Sequence, residues 1–277
     1  MATCTIVIPC YNEADRLKVG EFRDYLAQSP DVSLLYVNDG STDSTLRVLQ
    51  ELQKEMPNQI SVLDLEKNSG KGEAVRSGLL CAIRNGASCV GFWDADLATP
   101  LSAIGDLRAV LLSDPEIDVV FGSRVKLLGR NIERRASRHY LGRAFATCAA
   151  LVLGLEVYDT QCGAKLFRVT PHLEQVLTQP FCSRWIFDVE LIARFLKLSA
   201  VDSEAKKKFI YEFPLYSWRD VPGSKVRLRD FFRSAMDLYK IRRRYFGRMQ
   251  ARQVGGLRPE PSGDTSKSEV KVRSSNV

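Results

Sequence analysis

Histidine is nearly absent from this 277-residue chain, with only His139 and His172 present. That scarcity excludes a His-rich zinc site and a Ser-His-Asp triad. The seven cysteines (Cys4, Cys10, Cys81, Cys89, Cys148, Cys162 and Cys182) include no C-x-x-C pair. An odd number of them, mostly in apolar stretches, points to reduced cytosolic thiols rather than a disulfide framework. Long hydrophobic runs are missing as well. The longest, at 144–155, has twelve residues and is too short to span a bilayer. No signal peptide is expected, because 3–8 already has the character of a core strand, and no internal repeat is visible.

What is present is the composition of an ordinary globular protein, 45% hydrophobic and 26% charged. The length suits one large α/β domain with appendages. The net charge is +7, yet residues 224–258 hold eleven Lys/Arg against Asp230 and Asp237 alone. The rest of the chain is therefore slightly acidic, and the basicity is a local patch.

Apolar runs at 3–8, 32–37, 60–65, 89–93 and 117–121 alternate with helical patterns at 13–28, 42–56, 72–85 and 100–112. This predicts an α/β fold, a Rossmann-like and mostly parallel sheet covered on both faces, with ligands at the carboxyl ends of the strands. The second half reads as an arginine-studded loop at 124–138, a helix at 140–155, and a loop with a short strand at 159–167. A helix at 187–198, a strand at 209–215 and a helix at 229–246 follow. Beyond 252 the Gly, Ser, Pro and charge content predicts disorder.

Four strand exits carry polar clusters: Pro9-Cys10-Tyr11-Asn12-Glu13, Asn38-Asp39-Gly40-Ser41, Asn68-Ser69-Gly70-Lys71-Gly72 and Asp94-Ala95-Asp96. Four on one sheet edge define a site. Asp94 and Asp96, two residues apart at a strand exit, can hold Mg²⁺ or Mn²⁺ and leave positions open for diphosphate oxygens. Capping the next helix is the competing use, but Thr99-Pro100 already supplies a cap and a first-turn proline. Asp39 can accept hydrogen bonds from a base or ribose. Gly70-Lys71-Gly72 opens a helix where bare amides and a lysine favour phosphate. It is not a Walker A loop, since Leu65 stands at the first glycine position and Gly72 replaces Ser/Thr.

These clusters resemble family 2 glycosyltransferases with the A-type (GT-A) fold. Gly122-Ser123-Arg124, Asp159-Thr160-Gln161-Cys162-Gly163, Lys165-Leu166-Phe167, Arg184-Trp185-Ile186-Phe187-Asp188-Val189-Glu190-Leu191 and Gly223-Ser224-Lys225 are similar to the motifs of the UDP-glucose:dolichyl-phosphate glucosyltransferase branch. The resemblance runs in order over 3–246. It implies that Pro9, Tyr11, Glu13 and Asp39 hold the nucleoside, Lys71 the diphosphate region, and Asp94 and Asp96 the ribose and the metal, Mg²⁺ or Mn²⁺. It implies that Arg124, with Arg135 or Arg138, grips the acceptor phosphate, and that Asp159, Gln161 and Asp188 line the sugar and reaction centre. Residues 1–222 would then form one domain, with a nucleotide-binding half at 1–125 and an acceptor half at 126–222. A basic amphipathic helix at 223–250 and a tail at 251–277 would follow it. The implied reaction is inverting transfer of a hexose, glucose from UDP-glucose, to a polyprenyl or dolichyl phosphate. Ala98 stands where mannosyl-transferring relatives place a metal-binding Gln, which leans toward the glucosyl branch.

Two other functions compete: transfer to a polysaccharide or small-molecule hydroxyl, and nucleic-acid binding by the 224–258 patch. A hydroxyl acceptor would require a base, Asp159 or Asp188. A nucleic-acid binder has no use for Asp94, Asp96, Asp159 and Asp188 together, so no nucleic-acid partner is expected. The eukaryotic glucosyl enzymes carry an N-terminal membrane helix, and no apolar run here is long enough for one. Attachment is expected instead through residues 224–248, peripherally on the cytoplasmic face of a membrane. Phe231, Phe232, Ala235, Met236, Leu238, Tyr239, Ile241, Tyr245 and Phe246 make a wide apolar face at helical spacing. Arg233, Lys240, Arg242, Arg243, Arg244 and Arg248 surround it, the pattern of a helix lying in an anionic interface. Docking on the domain with the arginines in water is the competing arrangement.

Overall fold

Alternation of apolar side chains decides the architecture. In the computed structural model, which describes residues 4–133, 136–199, 209–221 and 228–247, the chain begins as β1 (Cys4–Cys10), α1 (Val19–Ala27), β2 (Val32–Asp39), α2 (Thr45–Glu55) and β3 (Ile60–Leu65). It continues through α3 (Lys71–Arg84), β4 (Cys89–Trp93), α4 (Ala103–Ser113), β5 (Val119–Ser123) and β6 (Asn131–Glu133). Then come α5 (Ala136–Leu153), β7 (Ala164–Arg168), α6 (Pro171–Leu177), α7 (Phe187–Ser199), β8 (Ile210–Pro214) and β9 (Ser217–Arg219). The last described elements are α8 (Leu228–Ile241) and a π-helical turn at Arg242–Phe246.

Seven strands form one sheet in the order β3-β2-β1-β4-β7-β5-β8, and β6 pairs with β9 in a small parallel ribbon. Successive residues of each strand feed opposite cores. Ile6, Ile8, Tyr36 and Trp93 pack on the face that also buries Phe22, Leu49 and Leu107 from α1, α2 and α4. Val7, Val37 and Phe92 pack on the other, with Leu79, Phe187 and Phe195 from α3 and α7. Both faces are covered, so the loops at the sheet edge are left for chemistry.

The structure departs from the sequence reading in several places. β7 runs antiparallel between β4 and β5, with Trp93 opposite Ala164 and Phe121 opposite Lys165. The 124–138 stretch is not all loop, because β6 lies in it, and the following helix starts at Ala136 rather than 140. α1 starts at Val19 because Arg16 and Leu17 both donate backbone hydrogen bonds to Glu13 in a turn. α2 starts at Thr45, since the Asp43 carboxylate accepts from the Thr45 amide (2.9 Å) and hydroxyl (2.5 Å). α6 went unread although Thr170-Pro171 announces it, the Thr170 hydroxyl capping the Leu173 amide at 3.3 Å. The motif at 223–225, Arg135, Arg248 and the tail at 251–277 lie outside the described residues. Among the described residues, no helix is long and apolar enough to cross a membrane.

Candidate active site

The carboxyl ends of β1, β2 and β4 lie side by side, and their loops hold one another. Asn12 follows β1 in the left-handed region (φ 51°), a conformation asparagine tolerates better than most. Its amide donates to Ser41 Oγ at 3.0 Å, while the Thr42 amide donates to Asn12 Oδ1 at 2.8 Å. The Glu13 amide donates to Thr45 Oγ1 at 2.8 Å. The 9–13 segment is thereby clasped to the 39–45 turn. Pro9 is half-buried, Tyr11 is exposed at its edge, and Glu13 lies 3.5 Å from Arg16.

Asp39 is buried, and both its oxygens are engaged. Oδ1 accepts from the Ser69 amide at 2.7 Å and Oδ2 from the Gly70 amide at 2.9 Å. Burial pushes its carboxyl above the usual range despite these donors. The residue read as a nucleoside ligand therefore also anchors the Gly-Lys-Gly loop to β2. Gly70 is left-handed (φ 93°), and a Cβ there would meet Arg184 Nε at 2.6 Å. Arg184 donates to Ser69 O at 3.1 Å and to Asn68 Oδ1 at 2.7 Å.

Lys71, the first residue of α3, places Nζ 2.5 Å from Asp94 Oδ1. Burial pulls this ammonium down, but Asp94, Asp188 and Asp96 together outweigh it and hold the group charged. Asp96 accepts from the Ala98 amide at 3.1 Å. Its carboxyl is pushed up, first by burial and then by the charge of Asp94. Leu97, between Asp96 and Ala98, has φ 53°, a strained setting for a leucine. Its turn is pinned by Trp93 Nε1 donating to Thr99 O (2.9 Å) and by the Arg219 amide donating to Ala98 O (3.0 Å).

The antiparallel β7 delivers the 159–163 loop to the exit of β4. The Asp94 amide donates to Gly163 O at 3.0 Å, and a Cβ on Gly163 would sit 1.9 Å from Asp94 Oδ2. Only a glycine lets this loop lie against the carboxylate. Asp159 (5% exposed) takes Arg124 Nε at 2.5 Å and Nη2 at 2.7 Å, a bidentate pair. Burial lowers the guanidinium's pKa, and Asp159 more than restores it. Glu212 on β8 sets this loop by accepting from the Tyr158 amide (2.8 Å) and the Asp159 amide (2.7 Å). Arg143 stacks on Tyr158 at 3.7 Å and donates to its carbonyl. The Gln161 amide donates to Asp159 Oδ1 at 3.3 Å.

Asp188 occupies the first turn of α7 and meets Lys165 Nζ at 2.8 Å. Lys165 is 0% exposed and also donates to Cys162 O at 2.7 Å. Its ammonium sits over the rings of Phe92 (5.3 Å) and Phe121 (5.7 Å). The arrangement has two sides. One is an amide-rich helix start with a lysine and two carboxylates. The other is a pair of buried ion pairs, Arg124–Asp159 and Lys165–Asp188.

All the predicted site residues within the described part gather here. Arg138 is the exception: it stands on the first turn of α5, and its side chain is not among those described. Arg124 and Asp159, read for separate tasks, hold each other. Sequence reasoning assigned no role to Lys165, Gly163, Glu212 or Arg184. Neither Lys165, in the short strand Ala164–Arg168, nor Glu212 carries a local signal of its role.

The Glycosyl transferase family 2 model matches residues 5–174. The dolichyl-phosphate beta-glucosyltransferases of Trichomonas vaginalis, Saccharomyces cerevisiae and Homo sapiens are 30%, 31% and 32% identical to this chain. The alignments cover 86–87% of the chain and 70%, 74% and 75% of those proteins. Among solved structures, glucosyl-3-phosphoglycerate synthase from Mycobacterium tuberculosis with Mn²⁺ and UDP-glucose superposes with a TM-score of 0.61 at 18% identity. That superposition covers 87% of this chain and 79% of the other. At this identity the likeness speaks for the fold, which is GT-A.

Proposed function

This chain belongs to glycosyl transferase family 2, and from that premise we propose that it transfers glucose from UDP-glucose to dolichyl or a related polyprenyl phosphate. The observation that carries the reading is the resemblance to dolichyl-phosphate beta-glucosyltransferases from three distant eukaryotes over 86–87% of the chain. The donor lies over Pro9, Tyr11, Glu13 and Asp39, with its diphosphate toward Lys71.

Asp94 and Asp96 suit a divalent ion such as Mg²⁺ or Mn²⁺. Asp94 already draws in a cation, Lys71, and the Asp96 carboxyl is pushed up by burial and then by the charge of Asp94, a penalty that a cation would relieve. Among the described residues, no three His, Cys, Asp or Glu side chains cluster to hold a metal unaided, so an ion held by Asp94 and Asp96 would need further oxygen ligands from the donor or water. An ion held there would supply positive charge for the departing nucleoside diphosphate.

A phosphate monoester, with a second pKa of about 6, is already an anion near neutral pH and needs alignment more than a base. Direct attack inverts the anomeric carbon and gives a β-linked product. Asp159 and Asp188, each in an ion pair, act by position: Asp159 fixes Arg124 toward the acceptor, and Asp188 fixes Lys165 beneath the sugar. Removing one partner of such a buried pair costs about 3–5 kcal/mol, so Arg124 supports the site as well as gripping phosphate. Arg135 and Arg138 remain its proposed companions. Incubation with Mn²⁺ and a set of labelled nucleotide sugars tests the donor: UDP-glucose should be consumed well above GDP-mannose, and the reverse order would move the chain to another branch.

The attachment surface is part of the proposal. α8 buries Leu238 and Ile241 but leaves Met236 (64%) and Tyr239 (67%) exposed beside Arg233, Lys240 and Arg242. Lys197, Lys240, Arg243 and Arg244 line one cleft of about 500 Å³. Each basic residue near an anionic leaflet contributes about 1 kcal/mol, weakened by salt. Replacing Arg242, Arg243 and Arg244 by Glu should release the protein from phosphatidylserine vesicles in cosedimentation while UDP-glucose turnover persists. Equal pelleting of variant and parent would reject this surface.

A further inference from the structure

The C-terminal helix is tied by buried hydrogen bonds to the segment that closes over the α3 loop. Ser183 is 1% exposed, and its hydroxyl accepts from the Ile186 amide (3.0 Å) and the Trp185 amide (3.3 Å) while donating to Asp237 Oδ2 at 2.8 Å. Seven residues beyond Ser183, Glu190 accepts from the Cys182 amide (2.7 Å), Arg194 Nη2 (2.8 Å) and Tyr245 Oη (2.8 Å). Burial alone would raise the Glu190 carboxyl, but these donors reverse that and hold it below the ordinary glutamate value. Arg194 binds the carbonyls of Val176, Gln179 and Pro180, closing the hub on α6.

What this hub shapes is the 182–188 segment. Arg184 holds the Asn68-Ser69 carbonyls, the Gly72 amide donates to Arg184 O at 3.4 Å, and Asp188 pairs with Lys165. α8 and the π-turn therefore support the roof of the diphosphate loop from behind. The wide π-turn matters here: Asp237, Ile241 and Tyr245, spaced by four, would drift around a regular α-helix, whereas all three face the domain.

We infer that Asp237 and Tyr245 are positioning residues for catalysis, holding Arg184 and Asp188 in place through Ser183 and Glu190, so that α8 is a working part of the site and not only an appendage. The inference rests on the proposed transfer at this site, so wild-type turnover of UDP-glucose is established first; failure there would concern that reading and not this one. In the full chain, Asp237→Ala removes the acceptor for Ser183, whereas Asp237→Asn keeps an oxygen in the same place. Asp237→Ala should lower kcat on the order of tenfold, as expected when reacting groups are displaced by a fraction of an ångström. UDP affinity, to which the Arg184-held α3 loop contributes alongside the β1 and β2 loops, should fall less than kcat, and Asp237→Asn should recover most of the loss. Tyr245→Phe, which keeps the ring and deletes one donor to Glu190, should lower kcat in the same direction. Full kcat in Asp237→Ala and Tyr245→Phe would overturn the inference. So would a loss in Asp237→Ala that Asp237→Asn does not recover, or one that falls equally on UDP affinity and thermal stability, since those mark a merely structural helix.

Discussion

Asp96→Asn should lose glucosyl transfer by about 10³-fold or more, the effect of withdrawing roughly 4 kcal/mol of charge stabilisation from the departing diphosphate. The fold should be unharmed. Asn matches Asp in volume and can still accept from the Ala98 amide. Burial and the charge of Asp94 push this carboxyl up by more than Lys71 and Arg16 pull it down, so deleting its charge relieves more than it loses. Thermal unfolding should therefore stay at or slightly above wild type, while EDTA treatment of the wild type should reproduce the catalytic loss. Near-full turnover in both the variant and the chelated enzyme would remove the metal from the account.

Gly163→Ala adds one carbon at a point with no room. The new Cβ would lie 1.9 Å from Asp94 Oδ2 and 2.2 Å from Cγ, so either the carboxylate swings away or the start of β7 retreats. Overpacking of this kind costs about 1–3 kcal/mol of stability. Displacing Asp94 should cost about 10²-fold in turnover. Binding of UDP without metal, which draws on Pro9, Tyr11, Glu13, Asp39 and Lys71 as well as Asp94, should change less than turnover. Gly105→Ala on α4 is the matched control, because a Cβ there meets nothing within 4 Å. Turnover of Gly163→Ala within twofold of the control would show that the contact with Asp94 does not govern the site.

The parallel half of the sheet was legible because each strand there is a run of apolar residues ending in a polar cluster. Ile6, Val7 and Ile8 alternate into two cores, and the chain then turns at Pro9–Glu13. The same logic located Asp39, Lys71, Asp94 and Asp96. What could not be read was pairing across long separations. Nothing in Ala164–Arg168 says that it runs antiparallel between β4 and β5, yet that insertion brings Gly163 to Asp94 and Lys165 to Asp188. A lysine in a short strand reads as solvent-facing, and Lys165 is fully buried because an aspartate and two aromatic rings surround it. Arg124 and Asp159 are 35 residues apart, so their pairing left no local trace. In the C-terminal helix the apolar stripe was visible, but its division was not. Leu238 and Ile241 face the core, Asp237 and Tyr245 reach the 182–190 segment, and Met236 and Tyr239 are left outside.

The central claim is that a family 2 glycosyltransferase site is used here to glucosylate a lipid phosphate. The most direct measurement incubates the enzyme with UDP-glucose labelled in the sugar, Mn²⁺, and dolichyl phosphate in detergent, followed by organic extraction and analysis of the anomeric linkage. The account predicts label in the organic phase as a β-linked glucosyl phosphate lipid, dependent on the added acceptor. Consumption of donor with the label left in water, as free glucose or as a glycan on a hydroxyl acceptor, would contradict it.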